Sequence, residues 1–316
     1  MRFGIDAANF GDYSDPRTMA ELAFEAEEAG WDGFFVFDHI LPTDIGVALY
    51  DPWVILAAIA MRTTTIRIGP MVTPVTFRPP VNVGRMAAQI DQLSNGRFVL
   101  GLGGGWNEEE HKAYGVNFPP VGERLNRLEE AINLMKGLWS PGPSTYKGRY
   151  YTLEEADCLP KPPEGRPTLL IGGGGEKRTL RIVAQYANEW NGISMPPKAY
   201  AHKVEVLAEH CEAVGRDPST IKRSMMTFGI LGPNQEGSAD HLRWFLKKDA
   251  SATPAELLDA ARERGMIVGS TDEVIDRLGE LAESGLGEVM FQHLDFDDDD
   301  FIEYLGTELA PRAAKL

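Results

Sequence analysis

The feature that most constrains this chain is a rhythm. Eight short β-type runs alternate with longer helix-periodic segments along the sequence. The runs are Arg2–Ala7, Gly33–Phe37, Ile66–Val72, Phe98–Leu102, Thr168–Ile171, Glu189–Ile193, Lys222–Thr227 and Glu288–Gln292. Between them the pattern predicts helices over Pro16–Gly30, Pro52–Arg62, Val81–Leu93, Leu125–Leu138, Glu176–Ala187, Pro197–Val214 and Asp272–Ser284. Thr271 is the expected cap of the last, and Asp299–Leu309 closes the chain. Runs such as GFFVF are apolar without alternation, as strands buried on both faces are. A doubly wound sheet usually has fewer strands and a phosphate fingerprint at its first turn. A (β/α)8 barrel needs about 250 residues, and the chain has 316. The surplus falls in two interruptions, 141–167, which holds the hairpin-like TYKGRYYTL, and 233–265, which reads as a helical insertion. We therefore expect an α/β protein, a single TIM-barrel domain over residues 1–316 with those two insertions.

Charge narrows the partners. Lys plus Arg is 31 and Asp plus Glu is 47, giving −16 at pH 7. Such a surface repels nucleic acid and anionic headgroups, and no local basic stripe offsets it. Cys158 and Cys211 stand far apart with no CxxC, which fits a reducing compartment. MRFGIDAANFG has no apolar leader core, and the longest apolar run, Trp53–Met61, is too short to span a bilayer. The expectation is a soluble cytoplasmic protein with a small-molecule substrate, no nucleic-acid or membrane partner, and a homodimeric assembly.

In a TIM barrel the chemistry sits where strands end. That rule nominates Asn9 and Phe10, then Asp38 and His39, then Met71, Val72 and Thr73. It also nominates Gly103, Gly104, Gly105, Trp106 and Asn107, then Gly172 to Gly175, Trp190 and Asn191, and finally Gln292 and His293. His39 has the residue type that moves protons near neutrality; the structural alternative is a bond to Asp38 or a loop cap. IGGGGEKRTLR joins a strand, a glycine loop and a helix start expected at Glu176, an arrangement that presents N–H groups to an anion. Lys177, Arg178 and Arg181 are the expected cations there, with Arg62, Arg67 and Arg78 secondary. Neither glycine run completes G-x-G-x-x-G, because Trp106 and Lys177 hold the last position. Trp106 offers a platform for a flat ring, or a rim residue. No H-x-x-x-H pairs the histidines, and Asp297–Asp300 lacks the spacing of a calcium loop, so no metal is expected.

These segments resemble the luciferase-like flavin and deazaflavin oxidoreductases, the group that includes bacterial luciferase and the coenzyme F420-dependent reductases and dehydrogenases. The resemblance rests on AEEAGWDGFFVFDH (Ala26–His39), DPWVILAAIAMRTTTIRIGPMVTP (Asp51–Pro74) and LSNGRFVLGLGGGWNEEEHKAYG (Leu93–Gly115). It continues in IGGGGEKRTLRIVAQYANEWN (Ile171–Asn191) and VGSTDEVIDRL (Val268–Leu278). It implies a ring at the barrel mouth, its phosphate in the loop after strand five, and a non-proline cis peptide at Met71–Val72 under the ring. It implies Asp38 and His39 as the active pair, with Asp38 contacting the ring edge or orienting His39. Cofactor contacts would come from Asp38, Met71, Val72, Thr73, Gly103, Gly104, Trp106, Gly172, Gly173, Gly174, Gly175 and Glu176. Asn9, Trp53, Trp106 and Trp190 would line the substrate pocket.

The DH pair and G-x-G-x-G-W-N-E-E-E resemble the deazaflavin branch, so the expected cofactor is F420, with FMN the alternative. The features of the glucose-6-phosphate-oxidising members are not recognisable, so a sugar phosphate is not implied. The rivals are an FMN-dependent monooxygenase supplied by a partner reductase, a barrel hydrolase with paired carboxylates, and a non-catalytic flavin-binding protein.

Overall fold

A computed structural model of the protein describes residues 1–40, 47–231, 242, 252–293 and 305–316. The Asp297–Asp300 run, most of the expected 233–265 insertion and the start of Asp299–Leu309 lie outside the described residues.

The strands are β1 (Arg2–Ala7), β2 (Gly33–Val36), β3 (Arg67–Pro70), β4 (Thr73–Pro74), β5 (Val99–Gly103), β6 (Ser144–Lys147) and β7 (Thr152–Ala156). They continue with β8 (Thr168–Gly172), β9 (Glu189–Ile193), β10 (Lys222–Leu231), β11 (Ile267–Gly269) and β12 (Glu288–His293). The central sheet runs β3–β2–β1–β12–β10–β9–β8–β5–β4, with β11 added on β10. β3 and β4 are two halves of one barrel strand, interrupted at the cis Met71–Val72 peptide. The two ends of the order therefore meet, and a parallel bridge from Ile68 to Phe98 ties them. The result is the expected (β/α)8 barrel. Closure here demands glycine: a Cβ on Gly69 would lie 2.0 Å from the Val99 carbonyl oxygen, and one on Gly101 2.1 Å from that of Pro70.

The helices are α1 (Pro16–Glu28), α2 (Pro52–Arg62), α3 (Pro80–Leu93), α4 (Glu108–Ala113) and α5 (Val121–Trp139). Then come α6 (Thr179–Tyr186), α7 (Pro197–Ala213), α8 (Pro254–Glu263), α9 (Thr271–Glu283) and α10 (Ala310–Ala313). Asp15 caps α1 and Asp51 caps α2 through side-chain oxygens that accept the N–H of Arg17 and Trp53. In α2, Trp53, Ile55, Leu56 and Ile59 turn inward and are buried. Each such side chain contributes about 1.5–3 kcal/mol of burial, so a charge at Ile59 would open the shell between α2 and the sheet.

Strand alternation divides β1. Phe3, Ile5 and Ala7 pack outward into the main core, while Arg2, Gly4 and Asp6 face the barrel lumen. The lumen's middle layer is Phe35, Met71, Val99, Leu170 and Met290, with Val72 and Met226 beside them.

Several expectations shift. The third strand does not run through Val72 but breaks before it. Helix α6 begins at Thr179, not Glu176, so residues 173–178 form a longer loop. Ser270, not Thr271, caps α9: its hydroxyl accepts from Glu273 N–H while the Glu273 carboxylate accepts from Ser270 N–H. Leu305–Leu309 winds as a π-helical turn before α10. The expected hairpin is present as β6–β7.

Candidate active site

Asp38 and His39 leave β2 at the C-terminal mouth and diverge. Asp38 is buried. Its carboxylate accepts from the Thr73 hydroxyl at 2.6 Å, from Arg78 Nη1 at 2.7 and 3.0 Å, and from the Trp53 indole at 3.4 Å. Arg78 Nη2 also donates to Asp51 at 2.6 Å. Burial raises the Asp38 carboxyl above its usual range, while the Arg78 charge and the Thr73 hydroxyl pull it back.

His39 does not use Asp38. Its Nδ1 lies 3.1 Å from both carboxylate oxygens of Glu110, and that carboxylate also accepts from Ile40 N–H at 3.1 Å. Glu110 is almost wholly buried. It stands in the first turn of α4, whose N-terminus is capped by Asn107 accepting from Glu109 and Glu110 N–H. The reading of Asp38 as the residue that orients His39 is therefore corrected, since the anchor is Glu110. Trp106 meets the imidazole edge to face at 5.8 Å, and Phe37 does so from another side at 6.2 Å. A carboxylate only accepts, so Nδ1 carries the hydrogen, and in the neutral imidazole Nε2 is left with a lone pair.

Val72 projects from the strand break into a pocket of missing side chains. A Cβ on Gly103 would lie 2.8 Å from a Val72 methyl, and one on Gly172 would lie 3.1 Å from both. The loop after β8 follows. Gly173 has φ +123, which favours glycine. Its N–H donates to the Asn191 carbonyl at 3.0 Å, and its carbonyl accepts from the Trp190 indole at 2.8 Å. Among the described residues, the N–H groups of Gly174, Gly175 and Glu176 have no backbone partner.

Trp190 is fully buried, stacks on Tyr200 at 5.2 Å and props this loop from below. It is a buttress, not a pocket wall. Trp53 is likewise buried and anchors Asp38. Asn9 is buried, with its amide nitrogen on the Tyr50 carbonyl at 2.7 Å and its oxygen unpaired. Trp106 stands at the lip, exposed.

The cations expected at the loop are mostly engaged elsewhere. Arg178 and Arg181 both reach Glu129 on α5 at 3.2 Å. Arg62 pairs with Glu21, and Arg67 lies at the opposite end of the barrel. Lys177 is exposed and precedes the helix. The sequence reading missed Lys203 on α7, whose ammonium sits 2.6 Å from Glu176, beside His202 at 3.3 Å. Lys203 holds the Glu176 carboxyl below its usual range. Among the described residues no cluster could hold a metal ion, and no helix is long and apolar enough to cross a membrane.

Residues 1–288 match the luciferase-like monooxygenase family, to which the chain belongs. Two relatives, both F420-dependent glucose-6-phosphate dehydrogenases, align over nearly the whole length. The Amycolatopsis mediterranei enzyme is 27% identical, covering 99% of this chain and 98% of its own. The Microbacterium testaceum enzyme is 28% identical, covering 100% and 98%. An F420-dependent secondary alcohol dehydrogenase, solved with an F420–acetone adduct, shares the fold at TM-score 0.85 and 23% identity over 99% and 98%. A long-chain alkane monooxygenase does so at TM-score 0.81 and 16% identity over 100% and 91%.

Proposed function

We propose that the protein is a coenzyme F420-dependent oxidoreductase that moves a hydride between the deazaflavin and a small organic substrate. The observation that carries this reading is the His39–Glu110 pair at the barrel mouth, beside a glycine-lined bulge and loop. The full-length likeness to two enzymes named for F420 supports the choice of cofactor.

The residues present fit a flat ring with an anionic tail. Glycine at positions 103 and 172 lets Val72 seat against β5 and β8, where a Cβ would crowd its methyls, and so keeps the bulge flat for a planar group to lie on. The N–H groups of Gly174, Gly175 and Glu176, with Lys203 and Lys177 nearby, would hold a phosphate. Asp38, fixed by Arg78 and Thr73, and the exposed Trp106 would border the ring.

When bound, the deazaflavin supplies the hydride acceptor or donor. The protein handles the proton. In oxidation of an alcohol, His39 Nε2 takes the hydroxyl proton, and in the reverse direction returns it. Glu110 holds the ring in the tautomer that leaves Nε2 bare and offsets the imidazolium charge once it forms. Phe37 and Trp106 confine the ring's rotation.

A second reading, an FMN-dependent monooxygenase fed by a reductase, draws on the likeness to the alkane monooxygenase. Side-by-side titration with F420 and FMN decides between them. Tight F420 binding, steeper in its salt dependence than FMN binding, is the expected result. FMN binding with no measurable F420 affinity at low salt would overturn the proposal. Assembly as a homodimer belongs to the same proposal and is checked by sedimentation.

A further inference from the structure

One group in the lumen takes no part in the chemistry above and is not explained by packing. Asp6 is completely buried, and neither of its carboxyl oxygens has a hydrogen-bond partner. A buried carboxyl left like this costs stability, so it calls for a reason. Its neighbour in register on β12 is Gln292, whose side-chain oxygen is also buried and unpaired. Both face the lumen. On β1, Arg2 reaches Glu288 and the Gly4 position abuts Met290, so Asp6 follows on the same face. On β12, Glu288 and Met290 are lumenal, so Gln292 is too.

The barrel order says what this wall faces. From β1 to β8 there are four steps by way of β12, β10 and β9, and four by way of β2, the broken third strand and β5. The Asp6–Gln292 wall is therefore diametrically across the lumen from β8 and its glycine loop. From the strand midway between the two, the Val72 methyls reach toward that far side, abutting the Gly103 position on β5 and the Gly172 position on β8. A ring seated at the bulge leaves the β1–β12 wall to the substrate, with His39 just past the end of the adjacent strand β2.

We propose that Asp6 and Gln292 bind a hydroxyl group that the substrate carries in addition to its reacting carbon–oxygen group. This rests on the oxidoreductase reading above and deepens it. The chemistry of the wall selects the ligand. A carboxyl so enclosed keeps its proton, because burial without a counter-charge disfavours the ion, and its affinity for the proton is raised well above the ordinary. The neutral carboxyl gives one hydrogen and accepts another, and Gln292 adds an accepting oxygen. A hydroxyl, both donor and acceptor, satisfies this set. A phosphate or carboxylate would find a single hydrogen among oxygen lone pairs and no cation. Room for it would come from the layer beneath, where Met71, Met226 and Met290 are flexible side chains able to repack around an added group.

The test uses the whole protein with 1,2-propanediol and 2-propanol as probes, read by saturation-transfer NMR with and without F420. The wild type is expected to bind the diol roughly tenfold more tightly, the worth of one good hydrogen bond to a buried partner. Asp6→Leu should abolish that preference and leave F420 affinity within about twofold, while Asp6→Asn, which still donates and accepts, should keep part of it. Equal binding of the two alcohols to the wild type, including no detectable binding of either, overturns the proposal. So does a preference that survives in Asp6→Leu. Asp6→Asn guards against a folding defect in the leucine variant. The F420 titration is scored separately, so failure of the cofactor reading leaves a distinct signature: a diol preference in a protein that does not bind F420.

Discussion

The two ends of the barrel lumen are both polar, and they solve the problem of buried charge in opposite ways. At the floor, Arg67 lies between Glu189 and Glu288 at 2.5 and 2.6 Å, and Arg2 adds a contact to Glu288 at 3.2 Å. Each glutamate leaves one oxygen unpaired, but every carboxylate touches a guanidinium. Burial still raises Glu288, with Arg67 opposing it. At the mouth, His39 is held through Nδ1 and keeps Nε2 free, and Asp6 and Gln292 keep oxygens with no partner. The floor closes on itself and stabilises a fold. The mouth is left incomplete in ways that a ligand can complete. Neither charge content nor a single unpaired oxygen separates structure from function here; at the floor every acid has a cation against it, and at the mouth Asp6 has none.

The sharpest way to break this contrast is at His39. His39→Ala should lower turnover by about 10² to 10⁴ while leaving cofactor affinity largely intact, read by single-turnover kinetics beside a binding titration. Undiminished turnover would make the mouth as structural as the floor. The complementary change is Arg67→Met, which strands buried Glu189 and leaves Glu288 with Arg2 alone, and should cost about 3–5 kcal/mol in denaturant unfolding. Activity per folded molecule should hold; a stable variant with altered activity would reverse the assignment. Gly174→Val probes the loop. Its Cβ has open space, with Lys203 Cε at 4.0 Å the nearest atom, so folding should tolerate it. Cofactor affinity should fall about tenfold or more, with the melting temperature moving by no more than about 2 °C. The smallest effect is expected outside the lumen altogether, at Asp91 on α3, where burial pushes the carboxyl up to about 6. Folding favours its protonated form, so its contribution is full below the unfolded value near 4 and is lost as pH rises through about 6. Asp91→Asn should flatten that part of the stability profile and add about 1 kcal/mol at pH 7, after allowance for screening by nearby solvent.

Much of this architecture was legible in the residues. GFFVF and FVLGL announce strands buried on both faces, and the proline and glycine punctuation of α1 sets its bounds. What escaped depends on three-dimensional closure. Glu110 is one of three consecutive glutamates, and only the angle at which α4 leaves β5 decides which one turns inward to His39. Lys203 lies 27 residues beyond Glu176, and nothing local marks it as the loop's cation. Ser270 and Thr271 are both good caps by type; the Glu273 carboxylate three residues on from Ser270 settles the choice. The loop after β8 is longer than glycine content implies, because residues 176–178 turn before α6 begins.

Trp106 carries a last consequence. Its indole is 74% exposed at the lip of the mouth, a large apolar surface that water covers in the resting protein. Any flat group laid against it removes that surface from water, so association at this mouth has a negative heat-capacity change. The balance of enthalpy and entropy in ligand capture therefore changes with temperature, and warmth shifts it toward enthalpy. A residue that contributes little to holding the barrel together thus sets how the protein's grip on its ligand responds to heat.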